Sequence, residues 1–78
     1  MPKLVPISAE KLIKILLKLN FEVIKIKGSH HFLMRNSDKK TTTVPVHKGE
    51  IIGQGLLRQI LRDIELTVEE YENVRLKK

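Results

Sequence analysis

Cysteine and tryptophan are both absent from this chain. Without thiols, no disulfide can brace the fold and no thiolate can ligate a metal, a composition suited to a reducing compartment. Two phenylalanines and one tyrosine are the whole aromatic content. That is too little for a platform on which single-stranded bases stack. Long apolar runs are also missing. The longest are a few residues, against the roughly 20 needed to span a bilayer. Met1-Pro2-Lys3 leads into no uninterrupted hydrophobic segment of a secretory signal. The expectation is a soluble, cytoplasmic protein. No P-loop and no G-x-G-x-x-G occurs, and there are no internal repeats.

What is present is positive charge. Fifteen Lys and Arg stand against nine Asp and Glu, a formal net charge of +6 over 78 residues. This length is one domain, residues 1–78. An excess of cations on so small a body favours a polyanionic partner, bound through phosphate contacts that release counterions. With few aromatics, backbone and shape are what such a surface would read.

Met1 to Ile7, with prolines at 2 and 6, reads as an extended arm. Ser8 is placed to cap a helix, and Glu10 in the first turn suits the helix dipole. Ala9, Leu12, Ile13, Leu16 and Leu17 then recur at helical spacing, with Lys11, Lys14 and Lys18 on a basic outer face. Asn20 tolerates the left-handed conformation that ends a helix. Phe21 to Lys27 is β-branched and predicts a strand, with Ile24 and Ile26 on one face and Lys25 and Lys27 on the other. Gly28-Ser29 makes a turn, and His30 to Arg35 returns. Asn36 to Lys40 is a polar loop. Thr41 to Val46 is a third strand, with Val44 and Val46 inward and Pro45 at an edge position. His47 to Glu50 is a loop, and Gly53-Gln54-Gly55 precedes a second helix with the stripe Leu56, Leu57, Ile60, Leu61 and Ile64. Thr67 with Glu70 forms a capping box for a short third helix. The fold class is α+β: an α-β-β-β-α order, with a three-stranded antiparallel meander and both main helices packed on one of its faces.

Three histidines are the candidates for chemistry: His30, His31 and His47. Imidazole is the side chain that takes or gives a proton near neutral pH. RNA cleavage without a metal needs a base to remove the 2′-hydroxyl proton. It also needs cations to hold the charge that builds on phosphorus. Lys25, Lys27, Arg35 and Lys48 are the candidates for that second role. In a strand, His30 and His31 project to opposite faces. Phe32 and Leu33 are both apolar, so alternation leaves open which imidazole faces inward. A histidine pair in a strand is also compatible with surface or packing roles. As a zinc site it lacks a converging ligand set.

The segments Leu12-Ile13-Lys14-Ile15-Leu16, Lys27-Gly28-Ser29-His30-His31-Phe32, Thr43-Val44-Pro45-Val46-His47 and Ile52-Gly53-Gln54-Gly55-Leu56-Leu57-Arg58-Gln59-Ile60-Leu61 occur here in that order. Together they resemble the HicA toxin family (the YcfA-like family), the messenger-RNA interferases of HicA–HicB toxin–antitoxin systems. The resemblance covers nearly the whole chain. It implies a fold like a double-stranded-RNA-binding domain and RNA cleavage dependent on a histidine of the Gly-Ser-His segment. It also implies a HicB antitoxin that covers the site. Family members with Gly-Ser-His and those with Gly-Ser-Asn-His place the imidazole one position apart, and this chain has histidine at both. His30, beside the turn, is the favoured base and His31 the alternative. Lys25, Lys27, Gly28, Ser29, Arg35 and Lys48 are the expected RNA contacts, with no metal or other cofactor. His47 follows the Val-Pro-Val strand and is a family feature, compatible with a structural role. The competing function is a non-catalytic module of the same fold that binds A-form RNA by shape.

Overall fold

The computed structural model describes residues 4–77. Ser8 caps the first helix: it is in extended conformation and its hydroxyl accepts the Lys11 amide at 3.3 Å. This starts helix α1 (Ala9–Lys18). The helix ends where Asn20 takes φ 72°, the left-handed conformation predicted for it. Strand β2 (Phe21–Lys27) and strand β3 (His30–Arg35) follow, joined by Gly28-Ser29, and β4 (Thr41–Pro45) completes an antiparallel sheet in the order β2-β3-β4. Helix α2 (Gln54–Asp63) and helix α3 (Val68–Leu76) close the chain. Thr67 and Glu70 form the full reciprocal capping box at the start of α3. The α+β class and the α-β-β-β-α order are as predicted, with both strands of the hairpin at their expected bounds.

The cross-strand register decides which face is interior. Leu33 lies opposite Val23 and Thr42, and His31 opposite Ile26 and Val44. Leu33, Thr42 and Val44 are buried, as is Phe21 at the start of β2. They share one face, and against it pack Leu12, Leu16, Leu57, Ile60 and Leu61 from the two main helices. The other face carries Lys25, Lys27, His30, Phe32, Met34, Thr43 and Pro45, none of them buried.

Four expectations need correction. On α1 the buried stripe is Ala9, Leu12, Ile15 and Leu16; Leu17 is 48% exposed and Ile13 only partly buried. The buried arc is rotated because α1 packs against α3 as well as against the sheet. On α2, Leu56 is exposed, and the helix begins at Gln54 rather than after Gly55. Gly53 takes the extended cap conformation, its carbonyl accepts the Leu57 amide, and the Gln54 side chain is tied to the Leu4 carbonyl at 2.6 Å. The expected arm is not free: Ile7-Ser8 (β1) pairs antiparallel with Ile51-Ile52 (β5), forming a second sheet of two short strands. Residues 1–3 of that arm lie outside the described residues.

The fourth correction is in β2. Register shifts between Val23 and Lys25, which leaves Ile24 as the extra residue of a bulge. Val23 therefore lies on the inner face with Leu33, while Lys25 lies on the outer face with Phe32. Simple alternation would have put Val23 and Lys25 on the same side. Lys25 and Lys27 still share a face, and Ile24 is removed from the row of Ile26.

Candidate functional site

The Gly28-Ser29 turn sets the site. Gly28 has φ 59° while Ser29 is not in positive φ. That is the pattern of a two-residue hairpin loop whose first central residue must be glycine. Such a loop matches the right-handed twist of its strands and aligns Lys27 directly with His30. Directly opposed side chains of an antiparallel pair have Cβ atoms about 5 Å apart. The ammonium group of Lys27 therefore accompanies the imidazole of His30 on the outer face. Pro45 flanks His30 on the other side, and Lys25, Phe32 and Thr43 form the next row. Among the described residues, Lys25 and Lys27 have no ion-pair partner. Both charges are available to an anion lying on the sheet.

His31 is placed differently. It sits on the inner face between Ile26 and Val44, partly buried. Its Nδ1 is sealed from solvent with no hydrogen-bond partner among the described residues. His30, by contrast, is exposed on the outer face.

The expected site residues do not all converge. Lys25, Lys27, Gly28, Ser29 and His30 lie at or beside the hairpin tip. Lys48 follows His47 in the loop leaving β4, at the same end of the sheet. Arg35 lies at the far end of β3, five residues from His30, which is about 16 Å of strand. It is on the inner face, paired with Phe21 across the strands. Its guanidinium donates to both carboxylate oxygens of Asp38, at 2.7 and 3.1 Å, and lies 4.9 Å from the Phe21 ring centre. The bond to Asp38 raises the Arg35 value further, and the same bond lowers that of Asp38. In this structure Arg35 closes the β3–β4 loop.

The sequence named His47 as a candidate but did not place it beside the turn. Ser29 Oγ lies 3.4 Å from His47 Nε2, and the Ser29 carbonyl accepts the Val46 amide at 2.6 Å. The β3–β4 ladder thus continues past Pro45 and brings a second exposed imidazole to the hairpin tip. A signal for it was present in the short Val-Pro-Val-His segment, but only the register of β4 says where its end arrives.

A second basic feature lies elsewhere. A cleft of about 470 Å³ between α1, the β1–β5 pair and α3 is lined by Ser8, Lys11, Lys14, Ile15, Ile51 and Arg75 among others. Arg75 is held there by Glu72, at 2.5 and 2.9 Å. Among the described residues no three His, Asp or Glu side chains cluster as metal ligands. No helix among them is long and apolar enough to cross a membrane.

Comparison with known proteins adds one match. The family model described as the HicA toxin of bacterial toxin–antitoxin systems fits residues 9–66, about three quarters of the chain. That span runs from the first residue of α1 through the hairpin and β4 to just beyond α2. No curated protein matches the sequence.

Proposed function

This chain belongs to the HicA toxin family, and from that premise we propose that it is an endoribonuclease that cuts messenger RNA with its own side chains and no metal. The observation that carries the reading is the outer row Lys27–His30–Pro45, with Lys25 in the row behind it. His30 removes the proton from a ribose 2′-hydroxyl, the freed oxygen attacks the adjacent phosphate, and Lys27 and Lys25 hold the charge that accumulates on the phosphoryl oxygens. Ser29, Gly28 and Lys48 line the approach, and the basic face of α1 adds phosphate contacts away from the reacting atoms. Arg35, engaged with Asp38, would have to leave that partner to meet RNA. A HicB-like antitoxin would neutralise the toxin by covering the hairpin tip.

His30 is assigned over His31 because it is exposed on the outer face opposite Lys27, whereas His31 is partly buried on the inner face between Ile26 and Val44. The test is RNA cleavage by wild type, His30→Ala and His31→Ala in the presence of a chelator, paired with growth on expression in cells. Wild type should cut and arrest growth. His30→Ala should lose about 10²–10⁴-fold in rate, while His31→Ala keeps most of it. Loss only in His31→Ala would reverse the assignment. If both variants cut like wild type, neither histidine is the base. If wild type itself cuts nothing yet binds RNA, the chain is the non-catalytic module of the same fold.

A further inference from the structure

Base catalysis at the 2′-hydroxyl is half of the proton inventory of RNA cleavage. When the bond from phosphorus to the 5′-oxygen breaks, an alkoxide would leave unless a proton reaches it. His30 cannot supply that proton in the same step in which it acts as base. We propose that His47, held by Ser29 at the hairpin tip, is the general acid that protonates the departing 5′-oxygen. This assignment rests on the endoribonuclease reading above and extends it to a residue on another strand.

Three features support it. His47 is exposed, yet its backbone is fixed on both sides. The Val46 amide donates to the Ser29 carbonyl at 2.6 Å, and the Glu50 amide donates to the His47 carbonyl at 3.0 Å. Val46 itself packs on the core. The second feature is position: His47 lies two residues beyond Pro45, the cross-strand partner of His30, and its ring meets Ser29, the residue just before His30. Consecutive Cα atoms are about 3.8 Å apart, so the two imidazoles stand at one end of the hairpin and approach it from different strands. The third is orientation. When His47 carries its positive charge, Nε2–H donates to Ser29 Oγ, 3.4 Å away, and leaves Nδ1–H to be delivered to substrate. Lys48 adds a cation beside it.

The step balances without any further reactant. The 2′-oxygen gives its proton to His30 and forms a bond to phosphorus. The bond from phosphorus to the 5′-oxygen breaks, and its electron pair takes the proton from His47. The products are a 2′,3′-cyclic phosphate and a 5′-hydroxyl, with His30 charged and His47 neutral. Exchange of protons with water restores both. Ser29 is a positioning residue: it touches His47 and orients its ring.

The experiment compares two substrates, an ordinary oligoribonucleotide and the same oligomer with sulfur in place of the 5′-bridging oxygen at the cut site. A thiolate leaves without protonation, so the sulfur substrate has no need of a general acid. His47→Ala and His47→Gln should lose about 10²–10⁴-fold on the ordinary RNA and cut the sulfur substrate near the wild-type rate. His30→Ala should be slow on both. Ser29→Ala should show a smaller loss, repaired by sulfur in the same way. Equal loss on both substrates for the His47 variants would make His47 structural and overturn the assignment, as would wild-type rates on ordinary RNA. His47→Gln retains a polar contact to Ser29, which separates loss of the proton donor from loss of the fold, checked by melting temperature. Failure of the wild type to cut either substrate would instead bring down the reading of the site itself.

Discussion

Tyr71 offers the sharpest test of the packing. It is the chain's one tyrosine, fully buried on α3, and its hydroxyl has no hydrogen-bond partner among the described residues. A buried hydroxyl without a partner costs about 1–3 kcal/mol relative to water. Tyr71→Phe keeps the ring and removes the stranded oxygen, leaving a void too small to offset much of that gain. The variant should be more stable by about 1 kcal/mol. For a domain of this size that is about 4–8 °C in melting temperature, or somewhat under 1 M in urea midpoint with an unchanged slope. Urea unfolding followed by circular dichroism reads it directly. The pH dependence supplies an independent check. Burial raises the Tyr71 phenol above its ordinary 10.0. The folded state therefore holds the proton more tightly than the unfolded one. Its contribution is complete below the ordinary value and is lost as pH climbs through the raised one. Phenolate absorbance should appear together with unfolding, not before it, and Tyr71→Phe should lack this part of the alkaline loss. A Phe variant that is less stable than wild type, or a phenol that titrates in the ordinary range while the fold is intact, would refute the burial argument.

Two further outcomes follow from local geometry. Gly28→Ala should cost about 1–2 kcal/mol, the penalty of an L-residue at positive φ, because an added Cβ meets nothing within 4 Å and backbone strain is the whole effect; a much larger loss in urea unfolding would mean that the turn makes contacts this geometry lacks. Thr67→Ala should remove about 1 kcal/mol through loss of the cap. Glu70 is held below the ordinary carboxylate range by its bonds to the Thr67 amide and hydroxyl, so its contribution is present above the ordinary value and disappears as pH falls through the lowered one. Stability of Thr67→Ala should fall less steeply in acid than that of wild type, and equal acid slopes would contradict this.

The local chemistry of the chain determined more of the protein than its long-range contacts did. Ser8, Asn20, Gly28-Ser29 and the Thr67–Glu70 pair each act within a few residues of themselves, and each marks a boundary that the structure places there. The α-β-β-β-α order follows from these marks together with the hydrophobic periods between them. The Gly-Ser-His-His, Val-Pro-Val-His and second-helix segments carry the family, because order and spacing survive without any knowledge of contacts.

Tertiary structure decided the questions of side. Phe32 and Leu33 are equally apolar, so only the helices packed on Leu33 settle that His30 is outward and His31 inward. The bulge at Ile24 carries no local signature in a run of β-branched residues; it shows only in the pairing of β2 with β3. Leu17 and Leu56 are as hydrophobic as their buried neighbours, and their exposure depends on where α3 and the sheet leave each helix uncovered. Arg35 was one cation among several until its strand position paired it with Asp38 and Phe21. His47 reaches Ser29 because a third strand ends beside the turn, a contact eighteen residues apart in sequence. Periodicity and capping are short-range and legible along a chain. Register and facing are set by what packs from elsewhere.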